Sequence, residues 1–153
     1  MLRTALTTLL GIEVPIVQAG MGSVASAVLA AAVAEAGGLG TIALVQRTPA
    51  AVRAEIRRAR ALTRRPLAVN FLLPFLDPEA LEAALDEAID AVTFFWGDAR
   101  AHVGRVHAAG NSVEAAPGWQ FATHVPEHPP PPPGQPCSRD RRRGACSFEQ
   151  THS

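Results

Sequence analysis

The sequence carries no net charge. It contains no lysine, its 14 basic side chains are all arginines, and 14 acidic side chains balance them. Proteins that bind nucleic acids or anionic membranes usually carry an excess of positive charge. The composition therefore predicts that neither nucleic acid nor a membrane surface is a partner of this chain.

Long apolar runs and paired cysteines are also missing. Gln18, Glu35 and glycines interrupt the most hydrophobic stretches well before the ~20 residues that a membrane-spanning helix needs. Residues 1–10 contain no usable signal-peptide cleavage pattern. The two cysteines, Cys137 and Cys146, both lie near the C-terminus, outside any predicted core. We expect a cytoplasmic protein without a structural disulfide.

The five histidines do not have the spacing of a metal site. His102 and His107 are five residues apart on a predicted helix and should point to different faces, and Pro126 separates His124 from His128. The sequence therefore predicts no metal centre and no histidine acid–base pair.

The regular part of the sequence consists of about four βα units. A short amphipathic helix that ends at Gly11 is expected to cover the bottom of the sheet. Each strand is then followed by an apolar pattern of helical period, which predicts an α/β fold with parallel crossovers. The chain is too short for a complete (β/α)8 barrel, which needs roughly 250 residues. The predicted strands are residues 15–18, 39–45, 66–71 and 91–95.

Capping signals mark where the helices begin and end. Thr48-Pro49 and Asp77-Pro78 each combine a capping side chain with proline at the first helical position, and Ser26 and Asp98 are expected to cap two further helices. The arginines of the helix after Thr48 are interpreted as a solvated face, because no aromatic residues are interleaved with them.

The turn after the first strand is the best candidate for a ligand site. Gly20-Met21-Gly22 follows a strand and precedes a helix, so glycine lets a ligand approach the backbone and the helix offers N–H groups to an anion. Asn70 lies near the end of the third strand, at the edge of the sheet where barrels and open α/β sheets place their chemistry. The same turn, from Gly20 to Ala25, also fits the dinucleotide fingerprint G-x-G-x-x-A, which leaves an NADP-linked oxidoreductase with Arg47 on the cofactor as an alternative.

Beyond about Asn111 the hydrophobic period stops. Eight of the 13 prolines fall between Pro117 and Pro136, and an arginine cluster follows. Such a segment buries too little apolar surface to offset its ordering entropy. We therefore expect residues 1–110 to form the domain and residues 111–153 to be a disordered Pro/Arg-rich tail.

Three stretches of the sequence together resemble the N-terminal half of nitronate monooxygenases, which were formerly called 2-nitropropane dioxygenases. They are PIVQAGMG from Pro15, AAVAEAGGLG from Ala31, and PLAVN from Pro66, and AVTFFWG from Ala91 is similar to the fourth strand of that family. The resemblance covers residues 10–110. It implies part of a TIM barrel that binds FMN at the carboxyl ends of its strands.

The resemblance also implies an activity and site residues. The family oxidises alkyl nitronates with O₂ to carbonyl compounds and nitrite, which makes an alkyl nitronate and O₂ the expected small-molecule partners. The backbone of Gly20, Met21 and Gly22 would lie against the flavin, and Asn70 would hydrogen-bond to it. Gly20 stands where the family usually has proline.

One motif of the family does not occur. The Gly-Gly-His stretch of its second half is absent, so no histidine is carried over as catalytic. We expect a truncated and impaired member whose residues 111–153 come from another reading frame. Its exposed sheet edges would favour self-association. A non-catalytic half-barrel module is the remaining alternative.

Overall fold

A computed structural model describes residues 3–116, in which parallel strands alternate with helices. One 3₁₀ turn, Gly22–Val24, follows the segment that was predicted as the first strand. A second, Leu73–Phe75, follows the strand that ends at Leu72. The helices are α1 (Ala5–Leu10), α2 (Ala27–Glu35), α3 (Pro49–Leu62), α4 (Pro78–Leu85) and α5 (Arg100–Ala108), and the strands are β1 (Gly40–Ala43), β2 (Leu67–Leu72), β3 (Ala91–Phe95) and β4 (Ser112–Ala116).

The sheet adds its strands in chain order. The spatial order is β1-β2-β3-β4, and each neighbouring pair is parallel. A doubly wound sheet reverses direction at a switch point, whereas the wall of a (β/α)8 barrel grows in one direction with its helices on one side. The structure therefore confirms the predicted α/β class and partial (β/α)8 barrel.

The two faces of the sheet differ in composition. Large apolar residues of one face pack with α2 to α5 in the main core, which includes Ile42, Val69, Phe71, Val92 and Phe94. Because strand residues alternate between faces, the intervening positions point toward the barrel interior. These interior residues are small or polar, and all are buried: Thr41, Ala68, Asn70, Ala91 and Thr93.

Helix α1 closes the amino-terminal end of the sheet, as predicted. Leu6, Leu10 and Ile12 pack in one cluster with the strand-start residues Leu39, Ala68 and Ala91. Gly11 ends the helix in the left-handed conformation, with φ of 68°. The opposite, carboxyl-terminal end of the sheet therefore remains the accessible one.

Two predicted strands are shorter than expected. Within residues 15–18 only Val17 forms a β-bridge, to Leu39, because Pro15 has no N–H to donate and the chain turns at once into the glycine segment. Strand β1 ends at Ala43, not at residue 45, because Gln46 adopts a φ of 51° and reverses the chain there.

The boundary of the tail was predicted too early. Asn111 is buried, and Ser112–Ala116 forms β4, parallel to β3. This strand is short and has few apolar residues, so its pairing depends on the neighbouring strand and not on its own pattern. As a result β3 lies between two strands and is not a sheet edge. The rest of the predicted tail, residues 117–153, lies outside the described residues.

Ion pairs join the arginine face of α3 to the segment between α4 and β3. Arg57 donates to Glu87 at 3.0 and 3.1 Å from Nε, Arg53 lies 2.8 Å from Asp86, and Arg60 lies 2.7 Å from Asp90. These contacts account for the arginine-rich face as a packing feature. Among the described helices, none has both the length and the apolarity to cross a membrane.

Candidate functional site

A cleft of about 510 Å³ opens at the carboxyl-terminal end of the sheet. Binding sites for small molecules are commonly clefts of roughly 300–1,000 Å³ with a few convergent polar groups. The residues that line it come from the glycine turn and from the ends of β1, β2 and β3: Gly20, Gly22, Ser23, Ala43, Val45, Arg47, Asn70, Leu72, Phe95 and Trp96.

Gly20 and Asn70 meet at the base of this cleft. A Cβ built on Gly20 would lie 2.3 Å from Oδ1 and 2.6 Å from Cβ of Asn70. The backbone of the turn and the side chain of Asn70 therefore occupy adjoining positions, although 50 residues of chain separate them. The two features that the sequence indicated independently therefore adjoin each other at one cleft.

Hydrogen bonds fix the orientation of the Asn70 amide. Its Nδ2 donates to Thr93 Oγ1 at 2.9 Å, and that hydroxyl donates to the Val69 carbonyl at 3.4 Å. Because the hydroxyl proton points to Val69, the amide nitrogen faces Thr93 and Oδ1 faces Gly20. Within residues 3–116, Oδ1 accepts no hydrogen bond. Asn70 is 1% exposed, so this acceptor is held in a fixed direction.

Gly22 and Met21, the other two residues of the predicted turn, differ in their position relative to the cleft. Gly22 has a φ of 55°, which favours glycine, and no atom lies within 4 Å of a Cβ built there. It lines the cleft, whereas Met21 does not, and the Met21 side chain is 48% exposed. The turn thus presents open backbone at Gly22 and a flexible apolar side chain beside it.

The N-terminus of α2 is capped differently from the prediction. Ser26 makes no side-chain cap, and the carboxylate of Glu55 accepts instead from the Ala27 backbone N–H at 2.8 Å. The second carboxylate oxygen faces Arg47, 3.7 Å away. Glu55 lies 28 residues beyond Ala27 in the sequence. The Glu55 carboxylate thus binds one of the helix N–H groups that the sequence predicted to be available to an external anion.

Three cleft residues were not predicted as flavin contacts. Trp96 is 58% exposed and has a φ of 62°, a conformation that costs about 1–3 kcal/mol for a residue with a side chain. Phe95 at the end of β3 and Arg47 after the end of β1 line the same cleft. The available signal was their place at the end of a predicted strand or within two residues after it, where the chain reaches the carboxyl edge of the sheet.

The dinucleotide alternative does not fit the local structure. In a Rossmann unit the helix opens within the glycine fingerprint, and the first strand lies at a switch point of the sheet. Here a 3₁₀ turn follows Gly20 and Met21, and α2 begins only at Ala27. The strands also follow in order without reversal. The geometry favours a barrel-type site over NADP binding.

The histidines that the structure describes lie away from the cleft. His102 on α5 packs against the ring of Phe94, with centroids 5.6 Å apart, and His107 is exposed. Residues 3–116 contain no group of three or more His, Cys, Asp or Glu side chains that could hold a metal ion. His124 and His128 lie outside the described residues.

A family model described as nitronate monooxygenase matches residues 3–117. Among curated proteins, a Pseudomonas aeruginosa nitronate monooxygenase is 52% identical over 64 residues, which are 42% of this chain and 18% of that protein. This match agrees with the family that the glycine turn and Asn70 indicated.

Longer matches involve two proteins named (3aS,4S,5R,7aS)-5-hydroxy-7a-methyl-1-oxo-octahydro-1H-indene-4-carboxyl-CoA dehydrogenase. The protein of Mycobacterium tuberculosis is 38% identical over 113 residues, 73% of this chain and 32% of its own length. That of Rhodococcus jostii is 36% identical over 125 residues, 81% of this chain and 35% of its own length. The chain therefore spans about a third of the length of these curated relatives.

Two solved structures resemble the fold. FabK from Thermotoga maritima superposes with a TM-score of 0.71 and 34% identity, over 75% of this chain and 37% of that one. A nitroalkane oxidase from Streptomyces ansochromogenes gives a TM-score of 0.62 and 30% identity, over 73% and 42% of the two chains. Both likenesses cover most of the present chain and less than half of the other.

Proposed function

The chain belongs to the nitronate monooxygenase family, and on that basis we propose that it forms the flavin-contacting part of an FMN-dependent oxidoreductase. The proposed substrate is an alkyl nitronate, which O₂ oxidises to a carbonyl compound and nitrite. When bound, FMN would take electrons from the substrate and pass them to O₂, chemistry that protein side chains do not supply. The protein contributes position, desolvation and hydrogen bonding.

The contact between Gly20 and Asn70 is the observation that supports this proposal. It places open backbone beside a buried, oriented amide at the base of a cleft of suitable size. A planar ring with hydrogen-bonding edges could lie against the backbone of Gly20, Met21 and Gly22 and donate to Oδ1 of Asn70. The open backbone and the Oδ1 acceptor of Asn70 are thus groups that fit the face and the edge of a flavin.

Thr93 is the positioning residue for this amide. It accepts from Nδ2 of Asn70 and is itself 3% exposed, so the Asn70 side chain cannot rotate without leaving a buried polar group unpaired. Apolar side chains of Val45, Leu72 and Phe95 line the cleft above it and limit the access of water. A ligand bound there would be held in one orientation.

Flavin titration of two asparagine variants tests the proposal. We expect the 153-residue chain to bind FMN, measured by quenching of flavin fluorescence, and Asn70→Ala to weaken binding by about 1–3 kcal/mol, because buried flavin groups lose their partner. Asn111→Ala is the matched control, since Asn111 is also buried but does not line the cleft. Thermal melts of both variants check folding. Equal FMN affinity in the two variants would remove Asn70 from the site.

A second candidate is an FMN-dependent oxidoreductase that acts on a coenzyme A thioester. The observation that favours it is the length of the matches to the two carboxyl-CoA dehydrogenases, which cover more of this chain than those to the nitronate monooxygenases. Flavin-loaded protein distinguishes the two candidates. Bleaching of the flavin by propane-2-nitronate under anaerobic conditions supports the first, whereas a spectral response confined to acyl-CoA supports the second.

A further inference from the structure

Arg47 is the one charged residue among the described residues that line the cleft. It follows Gln46, whose φ of 51° turns the chain back after β1 and directs the next residue toward the cleft. The Arg47 side chain is 33% exposed, so it is only partly shielded from solvent. A cation in this position attracts a negative group that enters from the carboxyl-terminal side of the sheet.

Arg47 makes only a long ion pair among the described residues. Its Nη1 lies 3.7 Å from Glu55, whereas Arg53 and Arg57 each approach a carboxylate to 2.8 Å. Within residues 3–116, Arg47 donates no hydrogen bond. Because guanidinium carries five N–H donors in a planar fork, most of its capacity to bind an oxyanion is unused.

Glu55 does not depend on Arg47 for its own position. Its Oε1 accepts from the Ala27 N–H at 2.8 Å, at the start of α2, and its side chain is 13% exposed. The Glu55 carboxylate therefore keeps its position, through the Ala27 N–H, when Arg47 turns toward a ligand. It also holds the guanidinium near the cleft when no ligand is present.

The wall of the cleft that β2 and β3 supply is apolar. Leu72 from β2, and Phe95 and Trp96 from the end of β3, line the cleft, and the Trp96 indole is exposed. An aliphatic group can lie against these side chains while a charged group reaches Arg47. Exclusion of water by this wall would strengthen the charge-assisted hydrogen bonds.

We propose that Arg47 binds the negatively charged group of a small organic anion, whose alkyl part lies against Leu72, Phe95 and Trp96. Under the proposed function, on which the identity of the anion rests, that group is the nitronate of an alkyl nitronate, with the negative charge on its two oxygens. The flavin phosphate is a different anion, because phosphate sites in (β/α)8 barrels commonly follow strands 7 and 8 and Arg47 follows an early strand. Arg47 thus selects substrate by charge.

Calorimetric titration with three probes of similar shape tests this assignment on the 153-residue chain. The probes are propane-2-nitronate, isobutyrate, which carries a carboxylate, and isobutyramide, which is neutral. We expect Arg47→Gln to weaken binding of both anions by about tenfold and to leave the amide unchanged, because only the anions use the charge. Arg47→Lys should retain part of the affinity. The control Arg58→Gln removes a charge from the exposed face of α3 and should change nothing.

Salt dependence in the wild-type protein provides a test that does not depend on variant folding. Anion affinity should fall as ionic strength rises, whereas amide affinity should not. Equal affinity of the wild-type protein for the amide and the anions would overturn the assignment, as would an equal loss for all three probes in Arg47→Gln. A loss of FMN affinity in Arg47→Gln without a change in anion binding would assign Arg47 to the flavin. The Asn70→Ala flavin titration separates failure of this inference from failure of the proposed function.

Discussion

The Cα of Gly20 lies directly against the side chain of Asn70. A Cβ at position 20 would be 2.4 Å from Cγ of Asn70, which is far inside van der Waals contact. The backbone of Gly20 does not have a positive φ, so glycine is required there by the packing of Asn70 and not by backbone conformation. In this chain, alanine, proline or any other residue with a Cβ at position 20 would overlap the Asn70 side chain.

Gly20→Ala should therefore destabilise the protein and weaken flavin binding. The added methyl must displace Asn70 from Thr93, and overpacking of this kind costs about 1–3 kcal/mol. Chemical denaturation measures the free energy of unfolding. Gly104→Ala is the matched control, because no atom lies within 4 Å of a Cβ at that helical position, and it should stabilise α5 by about 0.5–1 kcal/mol. A stability change of the same sign in both variants would contradict the packing argument.

Gly40→Ala should be more harmful to stability than Gly20→Ala. A Cβ on Gly40 would lie 1.8 Å from the carbonyl oxygen of Ala30, which belongs to the backbone of α2 and cannot rotate away. The helix must then move off β1, at a cost of about 3 kcal/mol or more. The comparison is made by urea denaturation of the two variants. A smaller loss in Gly40→Ala than in Gly20→Ala would show that α2 adjusts easily.

Asp90→Ala should destabilise the junction of α3, β2 and β3. The Asp90 carboxylate accepts from the buried Leu67 backbone N–H at 2.9 Å and from Arg60 at 2.7 Å, so its loss leaves both donors unpaired, at about 1–3 kcal/mol. Asp86→Ala is the control, since Asp86 is exposed and, among residues 3–116, forms an ion pair only with Arg53, and it should cost less than about 1 kcal/mol. Similar melting temperatures for the two variants would refute the distinction.

Arg100 should control the titration of Asp98. Its guanidinium and backbone N–H donate to the Asp98 carboxylate, which lowers the pKa of that carboxyl below its usual value of 3.8. A lowered pKa means that the interaction stabilises the fold above about pH 3.8 and is lost as the pH falls through the folded pKa. Arg100→Gln should raise the pKa of Asp98, which carbon-detected NMR of the carboxyl can follow. Arg57→Gln, whose partner is Glu87, should leave it unchanged.

Self-association through β4 is the last expectation. Among residues 3–116, β4 pairs with β3 on one side and has no strand on the other. Unpaired edge strands are templates for pairing with another chain. Light scattering coupled to gel filtration should show a mass that increases with protein concentration. A single monomeric mass from micromolar to millimolar protein would exclude this edge as an interface.

The sequence was sufficient to predict those elements that are marked by signals in neighbouring residues. Thr48-Pro49 and Asp77-Pro78 predicted the starts of α3 and α4, and both side chains cap these helices as expected. The combination of glycine turn, helix and Asn70 also led to the correct family and to the carboxyl edge of the sheet. These features depend on neighbouring residues in the chain, which is why pattern and spacing revealed them.

Contacts between residues that are distant in the sequence could not be predicted from local patterns. The cap of α2 comes from Glu55 and not from Ser26, and β4 forms only because β3 provides a partner where a tail was predicted. The left-handed conformation of Trp96 likewise has no signal in a sequence read without its fold. In each case the deciding partner lies in another element of the fold.

The sequence by itself determined the alternation of strands and helices, the family, and the residues that approach the candidate site. Only the tertiary structure decided that Gly20 touches Asn70, that Glu55 occupies the start of α2, and that Arg47 faces the cleft with a single long ion pair. The physical reason is that hydrophobic period and capping act over a few residues, whereas steric contact and charge act through space between segments that the sheet brings together.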